Sequence, residues 1–150
     1  MIKIVKKYRR VVFTLLLTYF CLSNVVHSKT TVENDIFTLA LAGDALITRK
    51  LSVYREPEFV EIIDLIRAAD ASFVNLEMLF HNYESYPMHE HGGANLREDP
   101  ELANELSWAG FDMLPLANNH SGDYGPVGMQ LTKEHVENTG LIASGVGSSL

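Results

Sequence analysis

PEFVEIIDLIRAADASFVNL, residues 57–76, reads as a helix running straight into a strand. Pro57 suits the first turn of a helix, where its missing N–H costs nothing. Phe59, Ile62, Ile63, Ile66 and Ala69 then fall on one face at helical spacing. Asp70 closes the helix, and the period changes at once. Ala71 to Leu76 (ASFVNL) is short, apolar and rich in strand formers. Upstream, Ile36 to Ala42 (IFTLALA) has the look of a buried strand ended by Gly43-Asp44.

The same alternation continues downstream. Asp99-Pro100 predicts an N-cap followed by proline at the first helical position. Leu102, Ala103, Leu106 and Ala109 make a buried stripe, and Gly110 is the expected C-cap. Met113 to Ala117 is a third strand, although Pro115 within it removes a ladder donor. Pro126 to Asn138 is a third helix with Gly140 beyond it, and Leu141 to Ser144 is a fourth strand. Strands alternating with helices imply an α/β fold with a mostly parallel sheet. Ligands in such sheets bind at the carboxyl ends of the strands.

The chain has 150 residues, which limits it to one domain, and its 47% apolar and 21% charged content fits a globular protein. Its formal charge of −7 is unevenly spread. Lys3, Lys6, Lys7, Arg9 and Arg10 crowd the first ten positions, whereas residues 29–150 hold 7 basic and 19 acidic side chains, a net charge of −12. That acidic body argues against generic binding to nucleic acid phosphates. The basic start precedes Val11 to Leu22 (VVFTLLLTYFCL), an apolar run too short for the roughly twenty residues of a spanning helix. Small residues follow. Residues 1–28 therefore read as a secretory signal peptide cut near Ser28, or as an uncleaved anchor. Either way residues 29–150 are expected to be exported: to the periplasm, the cell exterior or the outer face of the cytoplasmic membrane. Cys21 is the single cysteine, so there is no disulfide framework and no Cys-based zinc site. Thr18-Tyr19-Phe20 before it does not suit a lipid-attachment site.

Three strand ends carry polar residues: Asp44, then Asn75-Leu76-Glu77, then Asn118-Asn119-His120. Carboxylate, amide and imidazole donors suit a divalent cation such as Mn²⁺, Mg²⁺ or Zn²⁺. A nearby histidine outside the metal shell is a general acid or base. Against this stands the common use of Asp and Asn after a strand merely to cap a helix or shape a turn. Arg49 and Lys50 are candidates for an anionic substrate, set against plain solvated charges. Residues 77–98 form a long aperiodic stretch with His81, Tyr83, Tyr86, His89 and His91. His89 and His91 share a face if extended, and His91 is a candidate for contact with substrate. Trp108 and His135 read as packing and boundary residues. Gly145-Val146-Gly147 lacks the third glycine of a dinucleotide fingerprint.

Gly43-Asp44, Asn75-Leu76-Glu77 and Asn118-Asn119-His120-Ser121-Gly122-Asp123-Tyr124-Gly125 resemble the successive motifs of CapA-type proteins. These are poly-γ-glutamate capsule synthesis proteins within the calcineurin-like metallophosphoesterase superfamily. Gly128, Thr132, Gly140 and Gly145-Val146-Gly147 continue the resemblance, which spans roughly residues 36–150. The Asn-Asn-His-x-x-Asp-x-Gly run is its most specific part. The resemblance implies a partial metallophosphatase-like sandwich, with residues 29–150 matching the amino-terminal part of the family's longer domain. It gives Asp44, Glu77 and Asn119 to a divalent metal and His120 and Asp123 to catalysis; the strand-end residues themselves also offer His120 as a metal donor, and Asn75 and Asn118 are candidates for contact with substrate. The implied substrate is an anionic polymer, poly-γ-glutamate, or a phosphoester, handled within a capsule synthesis membrane complex. The reaction implied is metal-assisted hydrolysis of an amide or phosphoester. Two departures matter: the superfamily's first motif is Asp-x-His, where here the third position is Leu46, and residues 29–150 match only about the first half of the family's domain. The first leaves open a polymer-handling protein without turnover, the second an inactive fragment.

Overall fold

The computed structural model describes residues 36–89 and 93–147. The leader with Cys21, and His91, lie outside these residues. The described chain is α/β with a parallel sheet. In chain order the elements are β1 (Leu39–Ala45), α1 (Pro57–Ala68), β2 (Ala71–Leu76), β3 (Leu79–Phe80) and β4 (Arg97–Glu98). There follow a 3₁₀ turn (Pro100–Leu102), α2 (Ala103–Ala109), β5 (Met113–Pro115), α3 (Gly125–Asn138) and β6 (Ile142–Ser144). The main sheet has the order β1-β2-β5-β6 with every pair parallel. All its strands therefore end on one edge, where the polar residues gather. A two-residue parallel ladder joins β3 to β4.

Burial follows position in the sheet. The central strands supply Val74, Leu76 and Leu114, and Leu116 follows β5; these pack with Leu102 and Leu106 of the turn and α2, Val136 of α3, and Phe80. Asp99 caps the 3₁₀ turn by accepting from Glu101 N at 2.8 Å. Gly110 ends α2 at φ 95°, a left-handed conformation that glycine tolerates best. A β-carbon there would also sit 2.6 Å from Arg67 Cγ. Arg67 crosses from α1, lies 4.6 Å over the Trp108 ring and donates to the Trp108 carbonyl, so Trp108 is a helix–helix packing residue.

Four sequence expectations need correction. β1 starts three residues later than Ile36 and runs through Gly43-Asp44, so Asp44 lies inside the strand. Nor is β1 buried: it is an edge strand with Leu41 70% exposed. Apolar content gave the strand, but burial depends on what covers each face of the sheet, and Phe73, opposite Leu41 on β2, is only half-buried as well. The expected stripe of α1 is also less buried, since only Ile63 is sealed, Phe59, Ile66 and Ala69 are half-buried and Ile62 is exposed. β2 shows why: Ser72, Val74 and Leu76 are buried, but Ala71, Phe73 and Asn75 on the opposite face are only half so. Finally, the aperiodic stretch after Leu76 is not all loop. Met78, Leu79, Phe80 and His81 are core residues.

Candidate active site at the strand ends

A β-bulge prepares the site. Between Leu41, opposite Phe73, and Asp44, opposite Asn75, β1 carries one residue more than β2. The extra residue sets Asp44 beside Asn75. From there the hydrogen bonds run across the sheet edge without a break. Asn75 Nδ2 donates to Asp44 Oδ1 at 2.7 Å. Asn118 Nδ2 donates to Asn75 Oδ1 at 3.1 Å and to the Leu76 carbonyl at 2.8 Å. Asn118 Oδ1 accepts from His120 N at 3.0 Å. His120 Nδ1 lies 2.8 Å from Asp123 Oδ2. The carboxylate of Asp44 accepts only, so it sets the sense of both amides: N–H toward Asp44, oxygen toward the His120 loop.

That loop is rigid for local reasons. The Asn118 carbonyl accepts from Ser121 Oγ at 2.7 Å and from Ser121 N at 3.3 Å. Asp123 N donates to the His120 carbonyl at 3.0 Å, closing the turn. Asp123 is wholly buried, and its Oδ2 also accepts from Leu96 N at 2.6 Å. Met88 N donates to the Asp123 carbonyl, and Ser85 Oγ to the Tyr124 carbonyl. The segment after β3 is therefore stitched onto the 118–125 loop. The His120 side chain keeps 15% exposure, so a buried carboxylate orients a partly accessible imidazole.

Behind the loop sits His81, which sequence reading left as one of several loop histidines. It is fully buried, and its Nδ1 accepts from Tyr83 N at 3.1 Å. Its ring meets Tyr124 edge-on at 4.4 Å. Burial, with the Arg97 charge second, holds its pKa below the ordinary histidine value. Burial likewise raises the Tyr124 phenol. Gly128 permits this packing, because a β-carbon there would lie 2.5 Å from Tyr124 Cβ. Glu105 was also missed: a carboxylate in mid-helix reads as surface, yet this one is buried.

Glu77 is half-buried and Asn119 exposed, and neither side chain makes a hydrogen bond among the described residues. Asp44 is exposed with Oδ2 uncommitted there. These oxygen donors fit the chemistry of a hard divalent cation. Among the described residues, however, no three His, Cys, Asp or Glu side chains converge as a metal cluster. The position after Ala45 is Leu46, half-exposed and without a donor atom. Arg49 and Lys50 follow on the exposed loop beyond β1, and His89 is exposed on the segment after β3. The structure thus brings together Asp44, Asn75, Asn118, His120 and Asp123.

Comparison with known proteins agrees with this motif set. The sequence model of the family described as "Bacterial capsule synthesis protein PGA_cap" matches residues 38–150. Two proteins of Sinorhizobium fredii (strain NBRC 101917 / NGR234), the uncharacterized proteins y4sH and y4uA, are each 38% identical over 129 residues. The alignments cover 84% of this chain and 28% of each relative, so the chain spans under a third of their length. On a match that takes in the bulged β1, the Asn75-Leu76-Glu77 end and the whole His120 loop, this chain belongs to the bacterial capsule synthesis protein family.

Proposed function

We propose that the protein is an exported component of capsule synthesis that hydrolyses an amide or phosphoester bond in an anionic polymer, poly-γ-glutamate being the reference substrate. One observation carries the reading: a buried aspartate, Asp123, holds His120 Nδ1 at 2.8 Å at the end of a hydrogen-bond chain that starts at Asp44. An imidazole whose Nδ1 is held by a buried carboxylate is oriented for proton transfer, the arrangement general acid–base catalysis needs. Asp44, Glu77 and Asn119 would hold a divalent cation, which supplies charge stabilisation to the reacting oxygen. Asn75 and Asn118 keep Asp44 and the His120 loop in register. The basic leader and short apolar run support export, and a capsule synthesis complex at the membrane is the proposed setting.

The test is metal content and hydrolysis of γ-glutamyl and phosphoester substrates by the full chain, with Asp44→Ala and His120→Ala. Loss of turnover in His120→Ala with metal retained, and loss of both in Asp44→Ala, is the expected pattern. Unchanged metal and activity in both variants would sink the mechanism. A second reading, polymer handling without turnover, draws on Leu46 standing in the Asp-x-His position and on the lack of a three-ligand cluster among the described residues. It expects polymer binding that survives both chelation and His120→Ala.

A further inference from the structure

The described residues contain six cations, and four are committed to the protein. Arg55 donates to the Ser52 and Tyr54 carbonyls, and Arg67 to the Trp108 carbonyl. Arg97 donates to the His81 carbonyl and stacks on Tyr83, and Lys133 pairs with Glu137. Arg49 and Lys50 are exposed and make no hydrogen bond or ion pair among the described residues. They are adjacent, and they lie just beyond the carboxyl end of β1, the edge that carries Asp44.

The loop that bears them is not loose. Ile47, two residues before, is buried in the core. Directly after Lys50, the buried carboxylate of Glu105 takes three hydrogen bonds. Its Oε2 accepts from Leu51 N at 2.9 Å and Ser52 N at 2.7 Å, and its Oε1 from Ser52 Oγ at 3.0 Å. Two successive backbone N–H groups and a hydroxyl closing on one carboxylate make a charge-assisted clamp. We propose that Glu105 is a positioning residue: it clamps the Leu51-Ser52 backbone so that Arg49 and Lys50 stand together at the sheet edge as the contact for a polymer bearing closely spaced carboxylates. The clamp consumes one acidic charge of the body in holding up two basic ones. The ligand half of the inference rests on the proposed function, but the clamp does not.

Two readouts separate them. Trypsin must extend the chain to cut Lys50–Leu51, and the clamp opposes this. In the full chain, Glu105→Ala should raise the rate of cleavage at that bond by at least about tenfold, since it removes all three bonds. Glu105→Gln, which keeps an acceptor oxygen for the two N–H groups, should stay near the wild type. Ser52→Ala should fall between, and it serves if Glu105→Ala does not fold. Equal cleavage in wild type and in these variants overturns the clamp. Binding of poly-γ-glutamate is measured alongside at low and high salt. Arg49→Ala/Lys50→Ala should weaken it about tenfold at low salt and flatten its salt dependence. Glu105→Ala should weaken it too, and Glu105→Gln should restore it. Wild-type affinity and salt dependence in the double variant overturn the inference while leaving the proposed function standing. No binding by the wild type refutes the carboxylate polymer itself, and tighter binding to polyphosphate with the same variant pattern would replace it.

Discussion

Replacing Asp123 by alanine should cost both stability and the orientation of His120. Asp123 is wholly buried, and its Oδ2 is the acceptor for Leu96 N at 2.6 Å and for His120 Nδ1 at 2.8 Å. Alanine leaves the Leu96 N–H without that acceptor, a penalty of about 1–3 kcal/mol. The His120 bond counts for less, because a partly exposed imidazole can turn to water. Adding about 1 kcal/mol for the small void gives roughly 3 kcal/mol in total. With a urea slope of about 1.5 kcal/mol per molar, the unfolding midpoint should drop by about 2 M. Trp108, packed between helices, supplies the fluorescence signal. Asp123→Asn keeps one acceptor oxygen and should lose less than half as much. In turnover, both variants should fall by about 10²-fold or more, because neither provides the carboxylate that orients and stabilises the imidazole. An Asp123→Ala midpoint within 0.3 M or so of the wild type would refute the assignment of Asp123 as the common anchor of the loop and the Leu96 segment.

Other perturbations follow from the same contacts. His81 has a folded pKa below its unfolded value, so the folded state binds the proton less readily. Its contribution to stability is intact above the unfolded histidine pKa of about 6.5 and declines as pH falls below it. His81→Asn, which keeps an acceptor for Tyr83 N, should flatten the urea midpoint between pH 6.5 and 5, and an unchanged slope would count against this. Thr132 Oγ1 donates to the Gly128 carbonyl at 2.7 Å and accepts from Phe80 N at 2.9 Å, so Thr132→Val should cost about 1–3 kcal/mol by urea titration and Thr132→Ser much less. Leu39 and Leu41 on β1, with Ile62 and Leu65 on α1, are exposed apolar side chains. Leu41→Lys and Leu65→Glu should therefore reduce binding of a hydrophobic dye without lowering the unfolding midpoint, whereas destabilisation by either would mean the side chain is packed.

What could be read from the residues was whatever local chemistry decides. Asp99 before Pro100 and Gly110 after Ala109 mark the ends of their helical segment because capping depends on the residue itself. The polar strand ends were legible for the same reason: a parallel sheet sends every carboxyl end to one edge, so Asp44, Asn75 and Asn118 had to meet. The bulge in β1 was not legible, since nothing in Leu41-Ala42-Gly43-Asp44 fixes its partner, and Asp44 was placed after the strand although β1 runs through it. Glu105 and His81 were hidden for a related reason. Their hydrogen bonds reach Leu51-Ser52 and Tyr83, and the value of a carboxylate in mid-helix or a histidine after a two-residue strand depends on what the fold brings to it.

The charge distribution constrains how an anionic polymer could be handled at all. A body with 19 acidic and 7 basic side chains repels polyanions on average, so affinity must come from local exceptions. Among the described residues, Arg55, Arg67, Arg97 and Lys133 could be those exceptions only by giving up contacts they already make within the protein. Arg49 and Lys50 can, since binding would break no bond they make to the described residues. Their attraction is screened over about 8 Å at physiological salt, which favours a ligand that reaches the sheet edge itself over one captured from a distance. A cation at Asp44 and Glu77 would act in the same direction by neutralising the two carboxylates nearest the approaching polymer. The two devices are separable: chelation should weaken polymer binding in the Arg49→Ala/Lys50→Ala variant as well as in the wild type. Equal loss from either change alone, with no further loss from both, would instead mean that cation and loop form a single site.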